Sequence, residues 1–202
     1  MSRPTLYEGG YEVNGIWGQG DPPPCAGCSS GPALILGSGA CVWDDLLALK
    51  DLSAIYISVA EAGMFLHLAG AFQKGRLRHW VSIHPEYFPV YRFYAQTYQD
   101  ASILYHTQKE DPQYGVDCAW NIQQQYVGGT SSLLATFVAL GLGFEPVILC
   151  GVPLDRSPYF YGPPNEQSNF LTVLPHWEKA QDIFAGRVKS MSGNTAALLG
   201  RP

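Results

Sequence analysis

Three residues able to move a proton stand directly after stretches that are predicted to be β-strands. His84 follows "WVSI", His106 ends "SILYH", and Asp155 comes shortly after "VILCG". A histidine titrates near neutral pH, so it is suited to take the proton of an acceptor hydroxyl during group transfer. We predict His84 as the general base and Asp155 as a second catalytic residue. The alternative for His84 is a cap on a helix that starts after Pro85, and for His106 it is packing between aromatic side chains.

Two turns rich in small residues could hold an anion. The first, "LGSG", follows an apolar stretch, and the second, "GGTSS", opens an apolar helix. Glycine permits close approach to the backbone, and the unpaired N–H groups at a helix start attract phosphate. We predict a phosphate or nucleotide site formed by Gly37, Ser38, Gly39, Gly129, Thr130 and Ser131. The alternative is that the glycines serve tight turns and that Thr130 is a plain N-cap; the third glycine of a dinucleotide fingerprint is replaced by Val42.

Cys25 and Cys28 have the local spacing of a zinc knuckle. The sequence has no second close pair, so Cys118 or His176 would have to complete the site through long-range folding. We therefore assign no metal ligand from the sequence.

Acidic residues also occur near the proposed phosphate site. Asp44, Asp45 and Asp155 have the ligand chemistry of Mg²⁺ beside a diphosphate. The alternative for the first two is a favourable charge in the first turn of a helix. The cofactor stays open, with Mg²⁺ bound together with a nucleotide as the candidate.

The elements that must position these residues alternate between short apolar runs and longer amphipathic ones. Predicted strands are Ala33–Leu36, Ala54–Val59, His79–Ile83, Ser102–His106, Val147–Cys150 and Arg187–Ser190. Predicted helices are Val42–Leu49, Gly63–Lys74, Pro89–Gln99, Thr130–Leu140 and His176–Phe184. This order predicts an α/β fold, a single Rossmann-like domain with a mainly parallel sheet of about six strands and helices on both faces. Such a sheet brings the two turns to one edge.

Two segments do not fit the alternation. Residues 1–32 are rich in Gly, Pro and Ser and are predicted to form an arm or loop ahead of a nucleotide-binding domain over 33–202. Residues 152–175 form a long connection directly after a strand. We predict this connection as a lid in which Tyr159 and Tyr161 offer flat faces to a base or sugar. The alternative is a static cover.

Composition limits the partners. A formal net charge of -5 disfavours general nucleic-acid binding. We find no apolar run long enough to cross a bilayer and no secretory leader, so we expect no membrane partner. Five cysteines, an odd number, argue against a disulfide framework. We expect a cytoplasmic protein.

Four segments together resemble a known family: "ALILGSGACVWDDL", "SVAEAG", "WVSIHPEYF" and "GGTSSLLATFVALGLGFEPVILCGVPLD". Over roughly residues 33–155 they resemble the Rossmann-like family that contains the 6-hydroxymethylpterin diphosphokinase MptE-like proteins. They are also similar, more distantly, to bacterial sialyltransferases that use a CMP-linked sugar. In both, the Gly-x-Gly turn and the late helix start surround the nucleotide. The tail "VKSMSGNTAALLG" resembles the ends of phage-borne proteins, which would place the chain in the cytoplasm of a host cell.

The resemblance and the residues together predict a nucleotide-dependent transferase. Glycosyl transfer from a nucleotide-sugar to a hydroxyl acceptor is the first hypothesis, and diphosphoryl transfer from ATP is the second. A non-catalytic nucleotide-sensing domain is the rival from another class. A nicotinamide oxidoreductase ranks lower because the third fingerprint glycine is missing. The base, the sugar and the acceptor stay open.

Overall fold

The structure is a computed structural model that describes residues 3–70, 76–98, 102–108, 111–122, 130–162 and 170–202. Its strands are β1 (Thr5–Tyr7), β2 (Gly10–Val13), β3 (Ile16–Gln19), β4 (Ala33–Leu36), β5 (Ile55–Val59), β6 (Leu77–Val81), β7 (Leu104–Thr107), β8 (Cys118–Ala119), β9 (Val147–Cys150) and β10 (Val188–Ser190). Its helices are α1 (Val42–Ala48), α2 (Ala62–Leu68), α3 (Phe88–Tyr98), α4 (Ser131–Leu142), α5 (Phe170–Phe184) and α6 (Gly193–Leu199), with 3-10 turns at Pro85–Tyr87 and Pro112–Tyr114.

The predicted α/β fold is confirmed by a parallel sheet in which β4 lies between β9 and β5. In the described parts of the chain the sheet has seven strands in the order β10-β9-β4-β5-β6-β7-β8. Leu34 of β4 lies opposite Tyr56 of β5 and Ile148 of β9. The chain runs outward from β4 to β8 and then returns to the other side of β4 as β9. The strand order therefore reverses between β4 and β9, and ligands bind parallel sheets at the carboxyl ends of strands beside such a reversal.

Both faces of the sheet are covered, which explains why β4 and β9 are buried along their whole length. Side chains alternate between the faces along each strand. Leu34 and Leu36 pack with α1, α2 and α3 on one face. Ala33 and Ile35 pack with α4, α5 and the amino-terminal strands on the other. These two cores hold the strand ends in fixed positions at one edge.

Helix α4 is the element that points most directly at that edge. Thr130 has extended backbone and its Oγ1 accepts a hydrogen bond from Leu133 N (3.4 Å), as an N-cap does. The helix ends at Gly143, whose φ of 104° favours glycine. Because ten of its twelve residues are buried, α4 is held by the core rather than by propensity. Its first residue contacts the end of β6, since Ser131 Oγ accepts a hydrogen bond from Ile83 N (3.1 Å).

The amino-terminal segment differs from the predicted arm or loop. β1, β2 and β3 form a three-stranded antiparallel sheet. Tyr11, Val13 and Ile16 are buried in the core beside α4. The turn between β2 and β3 is Asn14-Gly15, with φ of 52° and 83°. Asn-Gly is a strong hairpin signal, so this turn was readable from the sequence.

Smaller differences concern element boundaries. α5 begins at Phe170, six residues before the predicted His176, and contains Pro175. Beyond the amino-terminal segment, β8 and α6 were not predicted. α2 ends at Leu68 and a turn follows at residues 69–70, whereas the predicted helix continues to Lys74, which lies outside the described residues. Across the described residues, no helix has both the length and the apolar character required to cross a membrane.

Candidate functional site

A cavity of about 570 Å³ opens at the carboxyl ends of β4, β5, β6 and β9, beside the reversal of strand order. Its walls come from the turns after these four strands, from the first turn of α4 and from Thr172 and Val173 of α5. Of the predicted site residues, those that line it are Gly37, Ser38, Gly39, His84, Thr130, Ser131, Asp155 and Tyr159. Gly129 lies outside the described residues. The fold thus gathers into one cavity predicted site residues that are up to 122 positions apart, from Gly37 to Tyr159 (159 - 37).

The glycine turn after β4 has a structural reason that does not involve a ligand. A Cβ on Gly37 would lie 2.5 Å from Gly151 O, and a Cβ on Gly39 would lie 2.6 Å from Pro153 Cδ. The amide of Gly37 donates to Cys150 O (2.8 Å), and that of Gly39 donates to Gly151 O (2.8 Å). These two amides are therefore paired within the protein, and the turn packs tightly against the chain leaving β9 while Gly37, Ser38 and Gly39 line the cavity.

The first turn of α4 borders the cavity. In any α-helix the first amides have no acceptor within the helix. Ser131 and Ser132 occupy the first two helical positions and line the cavity, while Thr130 caps Leu133. The positive end of the dipole of a twelve-residue helix is thereby directed at the cavity.

His84 lies three residues after the end of β6 and lines the same cavity. Its side chain is 58% exposed, and its Nδ1 lies 3.1 Å from Oε1 of Glu86. Its backbone N–H donates to Ser82 Oγ (3.0 Å), and its side chain makes no capping hydrogen bond. With the carboxylate on Nδ1, a neutral ring carries its proton there and leaves the lone pair on Nε2. That nitrogen is the basic atom of the residue.

Two cavity residues have unusual backbone conformations. Ala60, after β5, has φ of 45°, and Leu154, after β9, has φ of 48°. Residues other than glycine seldom adopt positive φ, and such residues concentrate at binding and catalytic sites. Ala60 is held by two bonds: its N–H donates to Val81 O (2.9 Å), and its carbonyl accepts from Trp80 Nε1 (2.7 Å). Both residues line the cavity: Ala60 directly follows β5, and Leu154 stands four residues after the end of β9.

The carboxylates near the cavity separate into two kinds. Asp155 and Glu61 line it, and Asp155 Oδ1 accepts a hydrogen bond from Ser157 N (2.8 Å). Asp45 is buried instead, and accepts from Gly151 N (2.8 Å) and Ser192 Oγ (2.6 Å). Asp44 is exposed on α1. Asp45 is therefore a clamp between α1, the turn after β9 and the start of α6, which corrects its proposed part in binding Mg²⁺.

The described part of the long connection, residues 152–162, packs against the domain. Phe160 N donates to Ser38 O (3.0 Å), and Tyr161 Oη donates to Glu61 Oε1 (2.6 Å). Burial, and then the hydrogen bond to Glu61, raise the pKa of Tyr161, so it stays a donor. Tyr159 lines the cavity and stacks on Tyr161 with ring centroids 5.5 Å apart. The seven residues 163–169 lie outside the described part of the chain.

His106 is buried away from the cavity. Trp120 Nε1 donates to His106 Nδ1 (3.1 Å), so Nε2 carries the proton and donates to His79 Nδ1 (2.9 Å). Burial lowers the pKa of His79 to about 4, and it lowers that of His106 well below its usual value. Both rings are therefore neutral near pH 7. This is the packing alternative considered from the sequence, and it removes His106 from the list of bases.

Sequence reasoning missed two residues at the site and the structural role of a third residue beside it. Ser132 stands beside the two predicted hydroxyl residues, and its place follows from the helix start once α4 is known. Glu86 stands two positions after His84 in a "HPE" segment, a spacing at which a turn brings the side chains together. Asp45 was considered as a Mg²⁺ ligand or a first-turn charge, and its structural role was missed because its partners Gly151 and Ser192 are distant in sequence.

Comparison with known proteins supports the fold. The chain is similar to a solved structure of the MAf glycosyltransferase from Magnetospirillum magneticum AMB-1, with a TM-score of 0.51 and 16% sequence identity. The similarity covers 90% of this chain and 36% of that one, so the chain spans about a third of its structural neighbour. No family model matches the sequence, and a search of curated proteins gave no match. The chain therefore has the fold of a domain found in a glycosyltransferase.

Proposed function

We propose that the chain is a nucleotide-dependent transferase domain that moves a sugar from a nucleotide-sugar to a hydroxyl acceptor. The observation that carries the proposal is the cavity itself, where the first turn of α4 and His84 meet beside the reversal of strand order. Its volume of about 570 Å³ lies within the usual range for small-molecule sites. The structural similarity to a glycosyltransferase supports the same class at the level of the fold.

The phosphate of the donor is assigned to α4. The amides of Ser131 and Ser132 and the dipole of the helix stabilise negative charge, and this charge increases as the nucleotide leaves. No lysine or arginine occurs among the described residues that line the cavity. Backbone amides are therefore the main source of positive potential that the described walls offer.

The proton of the acceptor is assigned to His84. As the acceptor hydroxyl attacks the anomeric carbon, its O–H proton passes to Nε2 of His84, the C–O bond to the acceptor forms, and the C–O bond to the nucleotide phosphate breaks. Glu86 fixes the proton of the ring on Nδ1 and stabilises the imidazolium that results. Asp155 is placed by its bond to Ser157 N on the same wall as Tyr159, where it can orient a sugar hydroxyl.

Diphosphoryl transfer from ATP is the second candidate, and the two carboxylates of the cavity favour it. Glu61 and Asp155 provide the oxygen ligands that Mg²⁺ takes beside a triphosphate. In that reaction the acceptor hydroxyl attacks phosphorus instead of carbon. A dependence of both binding and turnover on Mg²⁺ would favour this candidate over glycosyl transfer.

A thermal-shift panel tests the proposal, using CMP, UDP, GDP, ATP, NAD and nucleotide-sugars with and without Mg²⁺. A ligand at 100 times its Kd stabilises the folded state by about 2.7 kcal/mol, which a melting curve resolves. We expect a nucleotide or nucleotide-sugar to raise the melting temperature. No shift with any member of the panel would contradict nucleotide binding.

A turnover assay with the identified ligand then separates an enzyme from a sensor. His84→Ala should lower kcat about 100-fold with little change in nucleotide affinity. Glu86→Gln should lower kcat less, because the ring remains but its imidazolium loses a charged partner. His176→Ala, a histidine outside the cavity lining, is the matched control. An unchanged rate in His84→Ala removes His84 from the mechanism, and nucleotide binding without turnover favours the sensing domain.

A further inference from the structure

A second cluster of reactive side chains lies outside the cavity. Cys25 comes from the segment between β3 and β4, His106 from β7 and Cys118 from β8. The two sulfur atoms and a ring nitrogen of His106 all lie within 4.8 Å of one another, and the three residues are buried. None of them lines the cavity. The fold has thus brought together three soft ligands that are up to 93 positions apart (118 - 25).

The spacing fits one tetrahedral metal ion. Zinc binds thiolate at about 2.3 Å and imidazole at about 2.0 Å, which places ligand atoms roughly 3.5 to 3.8 Å apart. The three ligand atoms lie within 4.8 Å of one another, so side-chain movements of about 1 Å bring them to the spacing of a zinc site. Two thiolates and one imidazole favour zinc over Mg²⁺ or Ca²⁺, since the latter prefer oxygen ligands.

His106 is held in the neutral form that binds metals. Its Nε2–H donates to His79 Nδ1 (2.9 Å), and its Nδ1 lone pair accepts from the Trp120 indole (3.1 Å). Metal-binding histidines commonly donate their second N–H to a neighbouring acceptor, which fixes the ring. A cation bound at Nδ1 replaces the indole contact and leaves the bond to His79 in place.

The two thiols are also in contact with each other. Their sulfur atoms lie within 4.8 Å of each other, and both residues are buried. Zinc binds both sulfurs as thiolates, so the two thiol protons are released when the ion binds.

We propose that Cys25, His106 and Cys118 bind one zinc ion, with the fourth position filled from outside this trio. The ion would join the segment ahead of β4 to the β7–β8 edge of the sheet. Cys28, the other half of the Cys-x2-Cys pair, is exposed and contacts Ser29 Oγ (3.7 Å), so it lies outside the cluster. The structure thus places the zinc ligands differently from the knuckle that the sequence spacing suggests.

Metal analysis of the full chain tests the proposal. The protein is purified without a metal-binding tag and under reducing conditions, incubated with zinc, desalted and measured by plasma mass spectrometry. We expect about one zinc ion per chain in the wild type and in Cys28→Ser, and almost none in Cys118→Ser. Cobalt substitution of the wild type should give the sulfur-to-metal charge-transfer band of thiolate ligands.

A measurement on the wild type alone covers the case in which Cys118→Ser does not fold. With zinc, Cys25 and Cys118 should be protected from alkylation, while Cys28 reacts equally with and without the ion. In the metal analysis, the proposal is overturned if the wild type retains no zinc or if Cys118→Ser binds zinc like the wild type. In the alkylation experiment, it is overturned if zinc protects Cys28. A Cys25–Cys118 disulfide that persists under reductant, detected by mass spectrometry, would also overturn it.

Discussion

The clamp formed by Asp45 permits a quantitative test of how the cavity wall is held. Its carboxylate accepts hydrogen bonds from Gly151 N (2.8 Å) and Ser192 Oγ (2.6 Å). The first joins α1 to the turn after β9, and the second joins α1 to the start of α6. We expect Asp45→Ala to weaken this junction strongly and Ser192→Ala to weaken it only slightly.

The expected magnitude follows from burial. A hydrogen bond to a charged group contributes about 1.5 to 3 kcal/mol, and a buried donor left unpaired costs about 1 to 3 kcal/mol. Gly151 is buried, so its N–H has no water to replace the carboxylate, whereas Ser192 is only partly buried. We therefore expect Asp45→Ala to lower the free energy of unfolding by about 3 to 4 kcal/mol and Ser192→Ala by about 1 kcal/mol.

Urea unfolding followed by far-ultraviolet circular dichroism measures these values. The double variant Asp45→Ala/Ser192→Ala should be less destabilised than the sum of the two single variants, because the shared bond is lost only once. Asp44→Ala is the matched control, since Asp44 is exposed on the same helix. A loss below about 1 kcal/mol in Asp45→Ala would refute the clamp.

Two further predictions concern glycines that permit close packing. Gly39→Ala should lower the free energy of unfolding by about 1 to 3 kcal/mol in urea unfolding, because the new Cβ would lie 2.6 Å from Pro153 Cδ. Gly162→Ala, where a Cβ meets nothing within 4 Å, is the control and should change stability little; equal effects would contradict the packing reason. Gly141→Ala should also destabilise, although alanine favours helices by about 1 kcal/mol, because its Cβ would lie 2.3 Å from the Trp120 ring. A gain in stability, or unchanged tryptophan fluorescence, would show that Trp120 is not packed there.

The strands that carry the cavity were predictable because they are both apolar and clearly bounded. β4 and β9 match their predicted ranges, since each is a continuous apolar run that ends in glycine. The start of α5 was placed too late because residues up to Pro175 were assigned to the long connection. In the folded chain, burial of Trp177 and Phe184 against the core outweighs the lost hydrogen bond.

The site was predictable in its position but not in its contacts. A parallel sheet places the turn after β4 and the start of α4 at one edge, whatever their partners. The pairing of the Gly37 and Gly39 amides depends on the chain beyond β9, and local patterns carry no information about that neighbour. The same holds for Cys25, whose partners are His106 and Cys118 rather than the nearby Cys28.

The central claim is that the first turn of α4 holds a phosphate, and a charge placed there tests it most directly. Ser132→Asp adds a carboxylate at the second helical position, where it should stabilise the free protein by about 0.3 to 1 kcal/mol through the helix dipole. Ser132→Asn has nearly the same shape without the charge. Two like charges about 4 Å apart near a protein surface repel by about 4 kcal/mol, and half of that value already lowers affinity about 30-fold.

Isothermal titration of both variants with the nucleotide that gives the largest thermal shift is the deciding measurement. The account predicts affinity near the wild-type value in Ser132→Asn and a loss of about 30-fold or more in Ser132→Asp, with the free Asp variant at least as stable as the wild type. Equal affinity in Ser132→Asp and Ser132→Asn would contradict the assignment of the phosphate to α4.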